Sequence, residues 1–451
     1  MQRERALGSI ERGCWLIDQT APMNVVAIAA VRGAIELPRL HAALAAVQRR
    51  HPLLRVCVQV QADGPAFFSD RCAIPVVRMA RRSATHWQQV ATAERNQPIA
   101  WDRPPLARLT VLQGPDEAEL IFTLHHIISD GASAIYLIRD VLRAYGLRDA
   151  EDALDPLPLQ PSFEDLMPER ERGMAGLKRS ARFLGQQAWA FFGLRPRLLR
   201  EQRSVPAAKR WSTFVHQRLS QTETAALVAS SRRQSVTVHS TLCAALLLAV
   251  AAEVRAESQC EQAILGCCTP ANLRAALCPP VGEDLGLYVG PMVTFHAIDD
   301  RSDPAALSRD LTAQLQAARE TGVPTQALAT QGRLLPARIS PQQAARHLYN
   351  RLFGTVSVSN MGVLDIPTDY GALQLEALHL GGSNNAFGSL ISITATTLAG
   401  QLDLTFNYNE EIVSAERLSR VVAATMRRLR PESQRPVDDP LVAESSAGQR
   451  T

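Results

Sequence analysis

The sequence lacks any long apolar run. Across its 451 residues there is no stretch of about 18 consecutive apolar residues, the length that a helix needs to cross a bilayer. The longest apolar block, 242–252, predicts a buried helix instead. Residues 1–5 carry charges of both signs, and no apolar segment of the kind found in secretory signals follows them. The sequence therefore predicts a cytoplasmic protein without a membrane span.

Cysteine is scarce, and charge is nearly balanced. The eight cysteines form no Cys-x-x-Cys pair, and Cys267 and Cys268 are adjacent, which suits neither a zinc knuckle nor an ordinary disulfide. We expect reduced, mostly buried thiols and no metal site. The formal net charge is only +4, without the concentrated basic face of a nucleic-acid-binding protein. We therefore expect no nucleic-acid partner.

Length and composition predict a folded protein of two domains. A single hydrophobic core rarely grows beyond about 250–300 residues, and 46% apolar with 20% charged residues is ordinary for a globular chain. Patterns typical of strands and of helices are interleaved, so the predicted fold class is α/β with mixed sheets. The clearest predicted elements are strands at 24–35 and 119–124 and helices at 37–50, 133–145 and 238–255.

The two halves of the chain share a coarse order of strand, helix, strands and helix. A segment rich in proline and acidic residues separates them, and a stretch rich in arginine follows it. We predict an N-terminal lobe at 1–165, a basic crossover segment at 166–205, a C-terminal lobe at 206–430 and a disordered polar tail at 431–451. An interface between two such lobes is a common place for a ligand site.

One segment carries residues suited to acid–base chemistry. The predicted strand at 119–124 runs into His125 and His126, and the turn Ser129-Asp130-Gly131 follows before a helix begins. A histidine at a strand end is held in position and has a pKa near neutrality, so it can accept a proton. Asp130 can hydrogen-bond to backbone or pair with an arginine, and a glycine permits close backbone approach.

These residues resemble the active-site motif of a known superfamily. His125-His126, followed after three residues by Asp130-Gly131, is similar to the motif of the condensation-domain acyltransferases. That superfamily includes nonribosomal peptide condensation domains, plant BAHD acyltransferases, wax-ester synthases and polyketide-associated acyltransferases such as phthiocerol dimycocerosyl transferase. Segments 22–25 and 40–55 together resemble its N-terminal strand–helix–strand, and 357–362 resembles its Ser-Asn-x-Gly stretch. The resemblance extends over residues 8–430.

The sequence departs from the plant pattern at one motif. The Asp-Phe-Gly-Trp-Gly sequence of plant enzymes is missing, and 369–371 and 385–388 match it only in part. A bacterial stand-alone enzyme therefore fits better than a plant one. The bacterial polyketide-associated acyltransferases are the group that the chain looks most like.

The resemblance implies a role for each motif residue. His126 would be the general base that takes a proton from the acceptor, and His125 would be structural. Asp130 would hold the loop through a salt bridge with Arg274, although Arg274 read by itself is equally typical of a surface arginine. Gly131 would leave room for the phosphopantetheine arm of the donor.

The resemblance also implies the architecture and the course of the reaction. Two chloramphenicol-acetyltransferase-like lobes would enclose a central channel in which donor and acceptor meet. Asn360 would stabilise the tetrahedral oxyanion, or else satisfy backbone groups in a turn. Neither a cofactor nor a covalent acyl-enzyme would be needed, because holding both substrates in line supplies much of the rate advantage.

The resemblance indicates only the chemical classes of the two substrates. The donor would be acyl-CoA or an acyl carrier protein with a fatty or polyketide acyl group, and the acceptor a small alcohol or amine. The basic segment 170–203 could dock an acidic carrier protein, lie on a membrane surface, or be a solvated crossover helix. Two other functions compete with this one: a wax-ester or diacylglycerol-type O-acyltransferase, and an inactive protein that binds a carrier protein.

Overall fold

A computed structural model describes residues 1–147, 154–349, 354–383 and 389–430, so the predicted tail at 431–451 and the partial motif at 385–388 lie outside it. Within these ranges there are fourteen strands and twelve helices. The strands are β1 (Gln2–Ala6), β2 (Asn24–Arg32), β3 (Val56–Gln61), β4 (Gly64–Ser69), β5 (Val76–Ala80), β6 (Ala107–Gln113), β7 (Glu117–His125), β8 (Ser212–Leu219), β9 (Ala263–Asn272), β10 (Val289–Ile298), β11 (Val356–Val363), β12 (Gln374–Gly382), β13 (Ile391–Leu398) and β14 (Gln401–Asn409). The helices are α1 (Ser9–Asp18), α2 (Leu37–Arg50), α3 (His86–Asn96), α4 (Gly131–Gly146), α5 (Phe163–Leu166), α6 (Gly173–Leu194), α7 (Gln221–Arg233), α8 (Val238–Ser258), α9 (Pro304–Glu320), α10 (Val323–Leu334), α11 (Pro341–Tyr349) and α12 (Ala415–Leu429).

The first large sheet has the strand order β12-β2-β7-β6-β5, and β1, β4 and β3 form a small separate sheet. In the large sheet, β2, β7 and β6 pair antiparallel, and β5 joins β6 in parallel. Val25 and Ala27 of β2 face a core that includes α2 and α4, whereas Val26 and Ile28 face α3. Both faces of β2 are therefore covered, which is why the strand is an almost unbroken apolar run.

The second large sheet has the order β10-β9-β11-β13-β14-β8. Its core includes α8, which packs against α9, α12 and the sheet. Within the described ranges, α8 is the one helix long and apolar enough to cross a membrane, but 67% of its apolar window is buried inside the molecule. A core helix passes the same test of length and composition, and the burial of α8 matches the sequence prediction of a buried helix here.

One strand links the two halves. β12 comes from the second half of the chain but pairs antiparallel with β2 at the edge of the first sheet, with Gly381 opposite Val26 and Gly382 opposite Val25. The end of β12 thus lies close to the end of β7, where the histidine pair is. The mixed α/β class predicted from the sequence is confirmed. The division at 1–165, 166–205 and 206–430 stays a prediction. The structure adds that the two halves share a sheet, through β12.

Candidate active site

The backbone around His126 is fixed by the first sheet. β7 ends at His125, and a short 3₁₀ turn, His126–Ile128, follows it directly. The backbone N–H of His126 donates to the carbonyl oxygen of Met23 at 2.9 Å. Because β7 is flanked by β2 and β6, the strand that carries the histidine pair cannot shift independently of the sheet.

The imidazole of His126 is oriented by its own loop. Nδ1 lies 2.8 Å from the carbonyl oxygen of Ser129. A carbonyl oxygen can only accept a hydrogen bond, so Nδ1 carries the proton of the neutral ring and Nε2 is left with a lone pair. The side chain lines a cavity of about 640 Å³. The arrangement therefore presents a base to whatever the cavity holds.

The pKa of His126 is lowered from its ordinary value. Burial disfavours the charged ring, and this effect exceeds the opposing effects of the hydrogen bonds in the loop and of the Asp130 carboxylate. The neutral ring, which is the form that accepts a proton, is therefore populated at neutral pH.

This lowered pKa predicts the acid limb of the activity profile. If His126 is the general base, only its neutral form can act, so kcat/KM should rise with pH through the pKa of the free enzyme and then become constant. Burial lowers that pKa, so the midpoint is expected below about pH 6.5, the ordinary histidine value. A midpoint at or above that value, measured with both substrates well below saturation, would contradict the assigned environment.

His125 is buried and points away from the cavity lining. Its Nδ1 accepts a hydrogen bond from the backbone N–H of Ile127 at 3.2 Å, and its Nε2 lies 3.3 Å from Asp18 Oδ2. Asp18 in turn accepts from the backbone N–H of Met23 at 2.8 Å. These contacts hold the start of the loop against α1, and the structural role of His125 stays a prediction.

Asp130 joins the loop to α4 and to the second half of the chain. It is the N-cap of α4, and Oδ1 accepts from the backbone N–H of Ser133 at 2.8 Å. The guanidinium of Arg274 lies against it, with Nη1 2.9 Å from Oδ2 and Nη2 3.1 Å from Oδ1. The predicted salt bridge is therefore present, and it is bidentate and buried.

Three further residues complete this ion pair, and none of them was predicted from the sequence. Arg274 Nη2 also donates to Ser133 Oγ at 2.8 Å and to the carbonyl oxygen of Asp284 at 3.2 Å. The backbone N–H of Tyr288 donates to Asp130 Oδ2 at 3.0 Å. Ser133 follows the capping residue at capping distance and could have been inferred from that spacing. Asp284 and Tyr288 contribute backbone groups from far along the chain, for which no local signal exists.

The Asp130 carboxyl is held in its charged form. Burial alone would raise its pKa, but the charge of Arg274 and the hydrogen bonds from Arg274, Ser133 and Tyr288 outweigh burial and lower it. A group that remains charged and fully paired is unsuited to proton transfer. The geometry therefore supports a positioning role for Asp130 rather than an acid–base one.

Gly131 is closely approached from the second half of the chain. A Cβ atom at this position would lie 2.8 Å from Met361 Sδ. Both residues line the cavity. A side chain at 131 would therefore have to displace the thioether of Met361, which is free to move because it is the end of a flexible side chain.

Gly131→Ala is expected to reduce turnover with little loss of stability. The methyl group moves Met361 within the cavity, and because that side chain is flexible the cost should lie at the lower end of the range for overpacking, about 1 kcal/mol. Kinetics and urea unfolding of Gly131→Ala, of Met361→Ala and of the double variant test this. The double variant should regain most of the lost activity. A double variant as impaired as Gly131→Ala would contradict the steric explanation.

Asn360 lies in β11, where the strand passes the cavity. Its Oδ1 accepts from the backbone N–H of Gly362 at 2.9 Å, and Gly362 has a positive φ of 73°. The amide oxygen thus serves the turn, which is the backbone role expected as one alternative. This hydrogen bond also sets the orientation of the amide, whose Nδ2 is the donor left for a ligand.

The cavity is formed by residues of both halves. The motif loop and α4 contribute from the first half, and β9, β10, β11 and α10 contribute from the second. One part of the lining is apolar and includes Ile10, Ile17, Ile135, Leu287, Leu328 and Leu335. Another part carries hydroxyl groups, namely Ser357, Ser359, Ser392 and Thr394. Such a lining suits a ligand with an apolar chain and a polar, hydrogen-bonding segment.

Two cysteines, Cys14 and Cys268, also line the cavity. Burial raises the pKa of each thiol to about 12. Since the thiolate is the nucleophilic form, neither is activated for attack on a thioester at neutral pH. Cys278, by contrast, is exposed.

Alkylation should therefore select the exposed thiol. Iodoacetamide near neutral pH is expected to modify Cys278 rapidly and to leave Cys14 and Cys268 unmodified in the folded protein, as measured by peptide mass spectrometry. Cys278→Ser should abolish the rapid phase. Rapid modification of Cys268 would instead indicate a reactive thiolate and favour a covalent acyl-enzyme route.

One group of possible metal ligands occurs in the described part of the chain. Ligand atoms of His216, His379 and Asp403 lie within 4.8 Å of one another. Asp403 Oδ1 is already 2.8 Å from His216 Nε2 and accepts from Arg218 Nε at 2.8 Å. Arg218 thus supplies the positive charge that a metal ion would bring, and these residues are not among those that line the cavity. The expectation that the protein uses no metal stays a prediction.

Comparison with known sequences finds similarity in the second half of the chain. Residues 209–405 match the family model described as the phthiocerol/phthiodiolone dimycocerosyl transferase C-terminus. The chain is also 34% identical over 134 residues to a probable non-canonical nonribosomal peptide synthetase, CymA, of Salinispora arenicola. It is 29% identical over 153 residues to a cyclosporin synthetase of Tolypocladium inflatum. The chain spans only 2% and 1% of these two synthetases.

Solved structures share the fold over nearly the whole chain. Polyketide synthase associated protein 5 from Mycobacterium tuberculosis gives a TM-score of 0.63 at 17% identity, covering 94% of this chain and 98% of that one. Trichothecene 15-O-acetyltransferase from Fusarium sporotrichioides gives 0.70 at 13% identity, covering 95% and 96%. The first condensation domain of the calcium-dependent antibiotic synthetase gives 0.69 at 15% identity, covering 94% and 97%.

The chain shares its fold with condensation domains and acyltransferases of the chloramphenicol-acetyltransferase type. The match over 209–405 confirms the predicted resemblance to the polyketide-associated acyltransferases, of which phthiocerol dimycocerosyl transferase is an example. Acyl transfer and condensation are activities that the names of these relatives state for the relatives themselves.

Proposed function

We propose that the protein transfers a fatty or polyketide acyl group from a thioester to an alcohol or amine, with His126 as general base. The observation that carries this proposal is the geometry of the His126 ring. Its Nδ1–H is bound by the carbonyl oxygen of Ser129 at 2.8 Å, and the ring lines a cavity built by both halves of the chain. A base in this position can take a proton from one ligand as that ligand attacks a second ligand in the same cavity.

In the proposed reaction, both substrates occupy the cavity together. Nε2 of His126 takes the proton from the acceptor hydroxyl or amine as its oxygen or nitrogen attacks the thioester carbonyl carbon. The tetrahedral intermediate then collapses, the carbon–sulfur bond breaks, and the imidazolium returns the proton to the leaving thiolate. The proton is conserved, and no group other than the two substrates and His126 changes its bonds.

Two features of the site would support this sequence. The carbonyl oxygen of Ser129 stabilises the imidazolium, since it accepts the Nδ1–H hydrogen bond throughout. Asn360 is the proposed donor to the oxyanion, through Nδ2, because its Oδ1 is already occupied by the Gly362 N–H. Gly131 is the proposed point of passage for the phosphopantetheine arm.

The lining of the cavity favours a donor that carries an apolar acyl chain on a pantetheine arm. Its apolar side chains suit a fatty or polyketide acyl chain, and its hydroxyl groups suit an amide-containing pantetheine arm. Donor acyl-CoA and donor acyl carrier protein present the same arm. A wax-ester or diacylglycerol-type enzyme would use the same base and differ only in a long-chain alcohol acceptor.

Product formation tests the proposal. The purified chain is incubated with labelled acyl-CoA or acyl carrier protein against a panel of short alcohols, long-chain alcohols and amines, beside His126→Ala. Ester or amide product with wild type and its loss in the variant are the expected result. Equal turnover by both would exclude His126 as the base. Binding of the carrier protein without turnover of any pair would favour an inactive, carrier-binding protein.

A further inference from the structure

We propose that α6 is a membrane-surface helix that seats the protein on a bilayer rich in anionic lipid. The helix has 22 residues, but only Gly176 and Ser180 are buried. Large apolar side chains along it face solvent, including Met174 at 69%, Trp189 at 68% and Phe192 at 71% exposure. Contiguous exposed apolar surface of this kind marks a site of interaction with a protein or a membrane.

The exposed apolar residues share one side of the helix. With 3.6 residues per turn, successive residues are about 100° apart. This spacing places Met174, Leu177, Leu184, Phe191 and Phe192 within an arc of about 100°. All five are exposed. The arc is therefore a continuous stripe along the whole helix, with Trp189 beside it.

The helix is attached to the protein along the side that carries Gly176 and Ser180, which borders this arc. Ser180 Oγ accepts from Arg333 Nη1 at 2.6 Å, and Thr330 Oγ1 donates to the same hydroxyl at 2.9 Å. Gln326 Nε2 donates to the carbonyl oxygen of Arg179 at 2.6 Å. These partners all belong to α10. Polar contacts with α10 therefore hold this part of α6, and the residues of the apolar stripe stay exposed beside them.

The charge around the stripe is of one sign. Residues 172–200 contain seven arginines and lysines and no aspartate or glutamate. Lys178 and Arg182 are exposed and lie next to the stripe on the helical wheel. A helix with an apolar face and basic residues beside it lies in the headgroup region of a membrane, where apolar burial and attraction to anionic lipid act together.

The chemistry of the stripe favours a bilayer over an acidic carrier protein. Recognition of a carrier by charge would use Lys178, Arg182 and the arginines that follow, and it would leave the apolar stripe in water. A bilayer accommodates both features. Tryptophan and phenylalanine at the C-terminal end of the helix are also residues that partition to the lipid interface.

The position of α6 connects this surface with the cavity. α6 packs on α10, and α10 contributes Leu328 and Gln331 to the cavity lining. A protein seated on α6 would therefore hold its cavity one helix away from the bilayer. This consequence rests on the proposed function, since it concerns the supply of apolar substrates, whereas membrane binding itself does not.

Vesicle co-sedimentation of the full chain tests the proposal. The protein is mixed with vesicles of phosphatidylglycerol and phosphatidylcholine in equal parts, or of phosphatidylcholine alone. We expect binding to the anionic vesicles that weakens with salt, and a loss of at least about tenfold in partitioning for the double variant Trp189→Ser/Phe192→Ser. Trp211→Ser, which removes an exposed tryptophan outside α6, is the matched control and should bind like wild type.

Three results would overturn the proposal. The first is failure of wild type to bind anionic vesicles. The second is unchanged binding by Trp189→Ser/Phe192→Ser. The third is saturable binding of acidic acyl carrier protein that is lost in Lys178→Glu/Arg182→Glu but kept in the double serine variant, which would make the surface a carrier dock. Solution turnover of a short-chain donor should be equal in wild type and the serine variant, so a failure of the membrane proposal is distinguishable from a failure of the proposed function.

Discussion

Replacement of His126 by asparagine should lower kcat/KM for acyl transfer by about 10²- to 10⁴-fold, the usual contribution of a general base. The asparagine amide can still donate to the carbonyl oxygen of Ser129, as Nδ1 does at 2.8 Å in the native loop. It has no counterpart of Nε2 that accepts a proton at neutral pH. The loss should therefore fall on the chemical step, with KM for either substrate changed little.

The control for this variant is a histidine with no contact to the cavity. His41 lies exposed on α2, and His41→Asn should keep full activity. Steady-state kinetics and thermal unfolding of both variants decide the matter. His126→Asn should unfold at nearly the wild-type temperature, because its partly buried side chain lines the cavity and is not packed in the hydrophobic core. Wild-type kcat/KM in this variant would remove His126 from the mechanism.

What could be predicted from the sequence was local. The helix over Leu37–Arg50 follows from apolar residues three and four apart, and Leu40, Leu44 and Val47 are buried as that spacing requires. A turn was predicted at 129–131 with a helix from 133, whereas the structure has its 3₁₀ turn earlier, at His126–Ile128, and α4 already begins at Gly131. Such elements depend on side chains that are neighbours along the chain, so their pattern is visible without a structure.

What could not be predicted depends on contacts between distant residues. The pattern of residues 374–382 is typical of an ordinary strand, and nothing in its composition indicates that it pairs with β2. Arg95 is fully buried at the end of α3, where Nη1 donates to Asn407 Oδ1 at 2.7 Å. Arginine side chains are rarely buried, so the position of Arg95 on a helix would by itself predict an exposed side chain. Both features arise only where the two halves meet.

The pairing of Asp130 with Arg274 was a family inference, not a result of spacing. The two residues are 144 positions apart. Once formed, the pair makes the motif loop dependent on the second half of the chain, through Arg274 itself and through the backbone N–H of Tyr288. The loop that carries His126 is therefore positioned by both lobes, which also enclose the cavity. Stability of the interface and orientation of the base are consequently coupled.

Asp130→Asn is expected to destabilise the fold by about 3–5 kcal/mol, the usual cost of leaving one member of a buried ion pair uncompensated. Asparagine is nearly isosteric and can still cap α4, so the main loss is the charge that neutralises Arg274. Arg274→Met should destabilise the fold by a similar amount, because it leaves the Asp130 carboxylate buried without its positively charged partner. The double variant Asp130→Asn/Arg274→Met should cost clearly less than the sum, because no buried charge is left unpaired.

Urea unfolding and kcat/KM measured on the same four proteins would separate structure from chemistry in this pair. Activity should fall in both single variants, because the loop that orients His126 loses its anchor.

The pH dependence of stability provides a second readout. The pKa of Asp130 is lowered in the folded state, so its stabilisation is present above the unfolded value of about 3.9. That stabilisation is lost as pH falls through the lower folded value, and Asp130→Asn should lack this part of the acid sensitivity. Glu376→Gln, which breaks the exposed pair with Arg32, is the control and should change stability by less than about 1 kcal/mol. Strictly additive losses in the double variant would mean that Asp130 and Arg274 act independently, and the proposed anchoring of the catalytic loop by the second lobe would then be wrong.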